Sequence, residues 1–239
     1  MADGIYVAAS GMMAKLTELD IVANNMANAN TPGFKRDMVT FDEVLADESL
    51  RSNQQDLHYV EIGKSRPNMD DGSLKPTGNP LDFALRGDGF FRIETANGER
   101  LTRSGQFRIS RQGELLTQKG DRVLDNGGAP IQIPPGGNPE VQEDGSIMIN
   151  GDVVGQLGRV KVSSPEALRK EGATLYRVDP ADILPGDDIK VMQGFVEESN
   201  ANSIEIMVEL IGVQRSYEAL QKTMNAYRDM DNRSIRIAR

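Results

Sequence analysis

Residues 23–36, ANNMANANTPGFKR, decide how the chain is organised, because they end one kind of structure and begin another. Asparagine occupies four of the first eight positions, and its amide competes for the backbone hydrogen bonds that a helix needs. The residue before Pro32 is disfavoured in the helical region, and Gly33 follows as a second terminator. The stretch therefore predicts that a helix beginning near residue 3 ends near Thr31.

The residues before this ending carry an apolar stripe with coiled-coil spacing. One heptad position holds Ile5, Met12, Leu19 and Met26, and the partner position holds Ala8 and Val22, with Lys15 as an exception. Such a seam is typical of a helix that packs against another helix. Asn24, Asn25 and Asn28 fall off the seam, so in a single chain we expect their amides to face water.

The C-terminal forty residues repeat this pattern. Asn202, with Glu205 three positions later, resembles a capping box and predicts where the second helix starts. One heptad position holds Leu210, Tyr217 and Met224, and the other holds Ile206, Val213, Leu220 and Tyr227. Two helices with such narrow seams are marginal alone, so we expect both ends of the chain to become ordered within an assembly.

Between the helices, turns that contain glycine separate short apolar runs. These turns place glycine at positions 98, 105, 113, 120, 127, 145 and 151. Because Asn-Gly and Asp-Gly pairs are strong hairpin signals, residues 81–195 are predicted to form an antiparallel β domain. Its first strands and core are expected in Leu81–Ile93, which contains Phe90-Phe91.

The predicted fold class is α+β. Residues 1–35 and 196–239 each supply one helix, and the two helices are predicted to pair as a coiled coil. Residues 36–80 are polar and lack periodicity, so they are predicted to form an extended arm, and residues 81–195 form the β domain.

Composition excludes several classes of protein. The 239 residues include 27 Lys or Arg and 36 Asp or Glu, which gives a net charge of −9 and argues against nucleic-acid binding. Cysteine is absent, which excludes disulfides and thiolate metal sites. Charged residues near the N-terminus interrupt the apolar core that a cleaved signal peptide needs.

The search for catalytic chemistry finds little. His58 is the single histidine, and it lies in a polar segment without a nucleophile motif nearby. We therefore expect no catalytic site, cofactor, metal or small-molecule substrate. An alternative of a different class is a β-domain binding module or carbohydrate-active enzyme with helices that only dimerise. Such an enzyme needs paired carboxylates, for which Asp82, Asp88 and Asp144 are candidates by residue type alone.

Three ordered motifs carry a family resemblance. The first comprises Ala23, Asn24, Asn25, Met26, Ala27, Asn28, Thr31, Gly33, Phe34 and Lys35. The second is LDFALRGDGFFRI (81–93) followed by LTRSGQFRISRQGELLTQKGDRVL (101–124), and the third comprises Asn200, Asn202, Glu209, Gln214, Arg215, Tyr217 and Glu218. In these motifs the chain resembles the flagellar rod and hook family, which usually has tyrosine where this chain has Leu101.

The resemblance implies a structural, self-assembling subunit of the bacterial flagellar basal-body rod. The opening residues are most similar to proximal rod subunits, and the distal rod subunit is the alternative. Both helices would form an inner tube that transmits torque and conducts exported subunits, with the β domain packed outside it. The implied partners are other copies, neighbouring rod subunits and the flagellar type III export apparatus. Export would proceed without a cleaved signal peptide, towards a periplasmic location.

Two sets of residues are predicted to carry these contacts. Phe41 and Leu45, in FDEVL (41–45), match the family's export-gate element in type and position, and an amphipathic turn that packs on the arm is the alternative. The predicted subunit-interface residues are Ile5, Met12, Leu19, Asn24, Asn25, Met26, Asn28, Ile206, Leu210, Val213, Tyr217, Leu220 and Met224. The three asparagine amides would donate and accept hydrogen bonds across junctions between chains.

Overall fold

The computed structural model describes residues 2–39, 41–45, 58–62, 65–134 and 137–237. Its helices are α1 (Ala2–Ala27) and α2 (Ser203–Ile237). Its strands are β1 (Asp37–Met38), β2 (Phe41–Leu45), β3 (His58–Ile62), β4 (Arg66–Pro67), β5 (Leu74–Pro76), β6 (Phe83–Arg86), β7 (Phe90–Thr95), β8 (Gly98–Thr102), β9 (Phe107–Ile109), β10 (Leu115–Thr117), β11 (Arg122–Val123), β12 (Glu140–Val141), β13 (Ser146–Ile149), β14 (Asp152–Gln156), β15 (Arg159–Val162), β16 (Arg169–Glu171), β17 (Leu175–Arg177), β18 (Ile183–Pro185), β19 (Lys190–Gln193) and β20 (Phe195–Glu197). Short 3₁₀ helices span Pro165–Ala167 and Pro180–Asp182.

The chain divides into two compact units, and their boundaries differ from the predicted ones. The helical unit comprises Met1–Ala27, Asp37–Asn68 and Asn202–Arg239. The β-rich unit comprises Asn28–Arg36 and Met69–Ala201. The predicted arm of residues 36–80 is therefore divided between the units, and the signature stretch just after α1 belongs to the β-rich unit.

In the helical unit, α1 ends at Ala27, earlier than the predicted end near Thr31. The amide of Asn25 explains part of this ending, because it turns back onto the chain that follows. Its Nδ2 donates to the carbonyl oxygen of Asp37 at 2.8 Å, and its Oδ1 accepts from the Asp37 N–H at 2.8 Å. At the start of α2, the side chain of Asn202 accepts from the N–H of Ile204 at 3.0 Å, which confirms Asn202 as the N-cap.

The two helices contact each other within the helical unit. A Cβ added at Gly11 of α1 would lie 3.7 Å from a methyl carbon of Leu220 in α2, an ordinary van der Waals distance. Among the apolar positions described, Ala8, Val22, Ile206 and Val213 are buried. The half-buried ones are Met12, Leu19, Met26, Leu210, Tyr217, Leu220 and Met224. Coiled-coil geometry itself stays a prediction.

Antiparallel pairing dominates the β-rich unit, as the hairpin signals predicted. Among the residues described, nine strands form one sheet in the order β16-β17-β8-β7-β11-β10-β9, and β15 pairs with both β7 and β18. A three-stranded sheet of β12, β13 and β14 and the pairs β6–β19 and β5–β20 complete the unit. In the helical unit, β1 pairs with β4 and β2 with β3.

Most of the predicted glycine turns connect neighbouring strands. Gly98 begins β8 directly after the turn from β7, at a φ of 95°, and Gly145 joins β12 to β13 at 75°. Asn150 and Gly151 join β13 to β14, and both have positive φ, as a two-residue hairpin turn requires. Gly105 does not form such a turn. It is buried against Phe83, where an added Cβ would overlap the carbonyl oxygen.

The predicted first strands, in Leu81–Ile93, supply part of the core of the β-rich unit, and later strands supply the rest. Phe91 of β7 packs in the main apolar cluster with Phe83 and Phe107, and the rings of Phe91 and Phe107 meet edge to face at 5.3 Å. Phe90 points to a second cluster that contains Leu101 and Tyr176. Adjacent residues of one strand thus serve separate cores, because successive side chains point to opposite faces of a sheet.

Replacing Gly105 with alanine should lower the free energy of unfolding by about 1–3 kcal/mol, because the new methyl group forces backbone apart in a packed core. Urea unfolding followed by circular dichroism measures the change. Gly155→Ala is the matched control, since its Cβ would lie 3.8 Å from a side-chain carbon of Ile131. Equal unfolding midpoints for the two variants would contradict the close approach at Gly105.

Candidate functional site

The segment 28–36, which carries the second half of the first sequence motif, belongs to the β-rich unit. Gly33 has a φ of +71°, and an added Cβ would overlap the backbone of Ser104. Its N–H donates to the carbonyl oxygen of Glu197 at 2.8 Å. Glycine is required here for its backbone conformation and for this close approach.

Phe34 follows and is fully buried. The Nζ of Lys170 lies 4.0 Å from the centroid of the Phe34 ring, within the range of a cation–π contact. The same Nζ donates to the carbonyl oxygen of Lys35 at 2.7 Å. Lys170 on β16 therefore holds both the ring and the backbone of the inserted segment.

Lys35 places an ammonium group inside the unit, with 0% of the residue exposed. Its Nζ donates to Glu197 Oε1 at 2.6 Å and to the carbonyl oxygen of Asp70 at 2.7 Å. A longer contact of 3.4 Å reaches the carbonyl oxygen of Met69. An ammonium has three N–H donors, and these three acceptors match that number.

Glu197 on β20 receives a second buried cation. Its Oε2 accepts from Arg103 Nη1 at 3.3 Å, and its Oε1 also accepts from the N–H of Gly72 at 3.1 Å. Asp71 approaches from the exposed side, 3.7 Å from Arg103 Nη2 and 4.0 Å from Lys35 Nζ. We call Lys35, Arg103, Glu197 and Asp71 the ion cluster.

Charge balance explains why the ion cluster needs all of its members. Two buried cations face one buried carboxylate, since Glu197 is 2% exposed, and the exposed carboxylate of Asp71 supplies the second negative charge. Removing one partner from a buried ion pair leaves an uncompensated charge in a poorly solvated place. Sequence reasoning missed the ion cluster, although Lys35 and Arg103 both lie in the motifs described above.

Asn200 lies beside the ion cluster and binds two segments at once. Its Oδ1 accepts from the N–H of Arg36 at 2.8 Å, and its Nδ2 donates to the carbonyl oxygen of Asp70 at 3.0 Å. Asn200 and Asn202 both belong to the third motif. In the structure Asn202 caps α2, whereas the side chain of Asn200 joins separate parts of the β-rich unit.

The predicted interface asparagines have different environments. Asn24 is exposed, and Asn28 is half-buried in a turn, where its Oδ1 accepts from the hydroxyl of Thr31 at 3.2 Å. Asn25 is only 1% exposed and its amide binds the backbone of Asp37, so the expectation that it faces water in a single chain is wrong. The proximity of Asp37 could not be inferred from the heptad pattern.

An exposed apolar stripe near the start of α2 was also missed. Its members are Ile204, Met207, Val208 and Ile211, of which Ile204 is 74% and Val208 67% exposed. They follow the spacing i, i+3, i+4 and i+7, so they share one face of the helix. This signal was present in the sequence, but the heptad assignment selected the neighbouring face instead.

Several predicted residues fall where side chains lie outside the described part of the structure: Ile5, Phe41, Leu45 and His58. The backbone of FDEVL (41–45) is described as β2, which pairs with β3 from Phe41 opposite Ile62 to Leu45 opposite His58. The export-gate element therefore lies on a strand rather than on the amphipathic turn that was its alternative. Its recognition role stays a prediction.

The residues considered for carbohydrate chemistry have structural environments. Asp82 is buried and accepts from the Asn79 amide at 3.0 Å, whereas Asp88 is exposed. Hydrogen bonds from the N–H and hydroxyl of Ser146 hold the pKa of Asp144 below its ordinary value. A general acid needs a raised pKa, so the lowered pKa of Asp144 does not suit that role.

An open cavity of about 450 Å³ in the β-rich unit is lined by three arginines, each with an acidic partner. Arg92 pairs with Glu99 at 2.6 Å, and that hydrogen bond raises the pKa of Arg92. Arg100 and Arg177 both pair with Glu171, at 2.7 Å and 3.7 Å. Two carboxylates therefore pair with the three guanidinium groups. Among the residues described, no group of His, Cys, Asp or Glu could hold a metal ion, and no helix is long and apolar enough to cross a membrane.

Comparison with protein families finds three matches along the chain. The model described as flagella basal body rod protein matches residues 5–35. The D1 domain of the flagellar hook protein FlgE/F/G matches residues 84–154, and the C-terminal region of the flagellar basal body rod FlgEFG protein matches residues 192–237.

Similar proteins cover most of the chain. The flagellar basal-body rod protein FlgF of Mesorhizobium japonicum is 39% identical over 91% of this chain and 90% of its own length. The FlgF protein of Rhizobium meliloti is 38% identical over 94% of this chain and 92% of its own. The flagellar basal-body rod protein FlgG of Bacillus subtilis is 32% identical, over 93% and 94%.

The three family-matched regions meet at the ion cluster. Lys35 lies in the first matched region, Arg103 in the second and Glu197 in the third. Their side chains are joined by ion pairs of 2.6 Å and 3.3 Å. Regions that are distant in sequence are thereby tied together by three buried charges.

Replacing Lys35 with methionine should lower the free energy of unfolding of the β-rich unit by about 3 kcal/mol, because Glu197 Oε1 and the carbonyl oxygens of Met69 and Asp70 then lose a buried, charged hydrogen-bond donor. Thermal and urea unfolding of the purified chain measure this loss. Lys190→Met is the matched control, because Lys190 pairs with Glu143 at 2.6 Å on the exposed surface. Unfolding curves that coincide for the two variants would show that the ion cluster does not stabilise the unit.

Proposed function

This chain belongs to the flagellar basal-body rod protein family, and from that membership we propose that its helices join those of neighbouring copies in the inner tube of the rod. It is a structural subunit of the basal body rather than an enzyme. In the proposed assembly the tube transmits torque and conducts exported subunits, and the β-rich unit lies on its outer side. The neighbours are further copies and other rod subunits.

The exposed apolar stripe on α2 carries this proposal. Ile204, Met207, Val208 and Ile211 form one contiguous helix face, and full burial of one such side chain contributes about 1.5–3 kcal/mol. Apolar patches exposed on a single chain mark contact sites for other proteins. In a tube of packed helices, a helix from a neighbouring subunit would cover this face.

The heptad residues predicted from sequence contribute differently to the proposed interface. Ile206 and Val213 are already buried in the single chain, so they offer little surface to a neighbour. Met12, Leu19, Met26, Leu210, Tyr217, Leu220 and Met224 are half-buried and retain surface for a neighbour. Asn24 is exposed beside the seam, where its amide would form hydrogen bonds with another chain. The interface therefore centres on the exposed stripe around Val208 and the half-buried seam.

We place the subunit in the proximal part of the rod. Relatives named FlgF are 35–39% identical to the chain, whereas those named FlgG are 28–32% identical. The similarity of the opening residues to proximal rod subunits supports the same position. The distal rod subunit is the alternative within the family.

The proposed route to the rod is the flagellar type III export apparatus, without a cleaved signal peptide, towards the periplasmic side of the inner membrane. The match of FDEVL (41–45) to the family's export-gate element supports this route. Phe41 and Leu45 would bind the export gate while the chain is unfolded, when β2 is not paired with β3.

Val208→Asp should abolish assembly while the single chain stays folded, because Val208 is 67% exposed and contacts with a neighbour would have to bury the new charge. Expressed in a strain that lacks the native gene, the variant should give few or no basal bodies and no swimming. Leu210→Asp should have the same effect at the half-buried seam.

The control is Gln221→Asp, which places the same charge at another exposed position of α2. It should support near-normal swimming, and circular dichroism should show equal helix content for all three purified variants. Normal swimming with Val208→Asp would remove the exposed stripe from the proposed interface.

Replacing both Phe41 and Leu45 with alanine should reduce export roughly tenfold, as expected when the loss of two apolar anchors costs a binding site about 1–2 kcal/mol. Immunoblots of fractionated cells measure the share of the chain outside the inner membrane. Glu43→Gln in the same strand is the control. Unchanged export of the double variant would exclude FDEVL as the recognition element.

A further inference from the structure

The chain enters or leaves the β-rich unit at four places, after residues 27, 36, 68 and 201. Near three of these places, no more than three residues away, lies a residue whose polar contacts belong to one connected group. Arg36 is the residue before the second place, Asp70 follows the third, and Asn200 precedes the fourth. All three residues belong to the β-rich unit, and their contacts lie inside it.

The side chain of Asn200 connects these three segments directly. The N–H of Arg36 donates to its Oδ1 at 2.8 Å, while its Nδ2 donates to the carbonyl oxygen of Asp70 at 3.0 Å. The backbone N–H of Asn200 makes a longer contact of 3.4 Å with the carbonyl oxygen of Phe34. An amide can donate and accept at the same time, which neither a carboxylate nor an apolar side chain can do.

Lys35 connects the same three segments a second time. Its ammonium donates to the carbonyl oxygens of Met69 and Asp70 and to the carboxylate of Glu197, three residues before Asn200. This group is fully buried, so water cannot readily replace its partners. We call Lys35 and Asn200 together the exit clamp.

We propose that the exit clamp makes the three segments resist force as one body. A pull on a single unconnected segment would break its contacts one after another. Because the exit clamp joins the segments, a pull on any one of them has to break the contacts of all three together. Resistance to forced unfolding depends on the height of the unfolding barrier, which such shared contacts raise. The proposal rests on the torque-bearing role proposed above.

Hydrogen exchange of the Arg36 amide in the purified, full chain tests the geometry of the exit clamp. Asn200→Ala removes the acceptor of this N–H, so its exchange should accelerate about three- to tenfold. Asn200→Asp keeps an oxygen at that position and should leave the Arg36 rate near that of the wild type. Asn202→Ala, which removes the cap of α2, is the control and should leave the rate unchanged. An Arg36 rate that is equal in Asn200→Ala and in the wild type would overturn the proposal.

Swimming at increasing viscosity tests the mechanical role. Strains that carry Asn200→Ala or Asn200→Asp should assemble basal bodies and swim normally in dilute medium, but lose motility at high viscosity before the wild type and Asn202→Ala do. Equal swimming at every viscosity would overturn the exit clamp. If the wild-type chain itself is absent from isolated basal bodies, the proposed function fails, and this outcome is distinct from failure of the exit clamp.

Discussion

The buried carboxylate of Glu197 is the constraint on which the β-rich unit depends. Its charge is tolerated in a 2% exposed position only because Lys35 and Arg103 lie within 2.6 Å and 3.3 Å. To reach it, Lys35 has to be carried inward by the segment that follows α1. Gly33 and Phe34 are therefore needed in their places as well, the first for close backbone approach and the second to fill the space beneath Lys170.

The two units differ in how far their charged and apolar side chains find partners within the single chain. The β-rich unit pairs its buried charges within itself and has a core that contains Phe83, Phe91 and Phe107. The helical unit leaves an apolar stripe on α2 exposed to solvent. A rod subunit that assembles with other subunits benefits from this separation. The folded β-rich unit supplies stability, and the helices supply the surface that neighbours can bury.

Sequence reasoning succeeded where the physical cause is local. The turn at Asn150-Gly151 follows from the positive φ that both residues accept, and the start of α2 follows from the side chain of Asn202. It failed where the cause is a distant neighbour. Gly105 was predicted to be a hairpin glycine, but its position requires glycine because the backbone of Phe83 lies against it. Asn25 was predicted to be a surface amide, but its side chain binds the backbone of Asp37.

By itself the sequence determined the α+β class, the two terminal helices, the hairpins and the membership in a family of rod proteins. Each of these follows from periodicity, turn chemistry or motifs that are read over short stretches. Only the tertiary structure decided that residues 28–36 belong to the β-rich unit and that Lys35 meets Glu197, 162 positions away. A pattern read over a short stretch of sequence cannot predict that pairing. Lys35 and Glu197 become neighbours only when the unit is folded, and a buried charge is stabilised by whichever opposite charge then lies close to it.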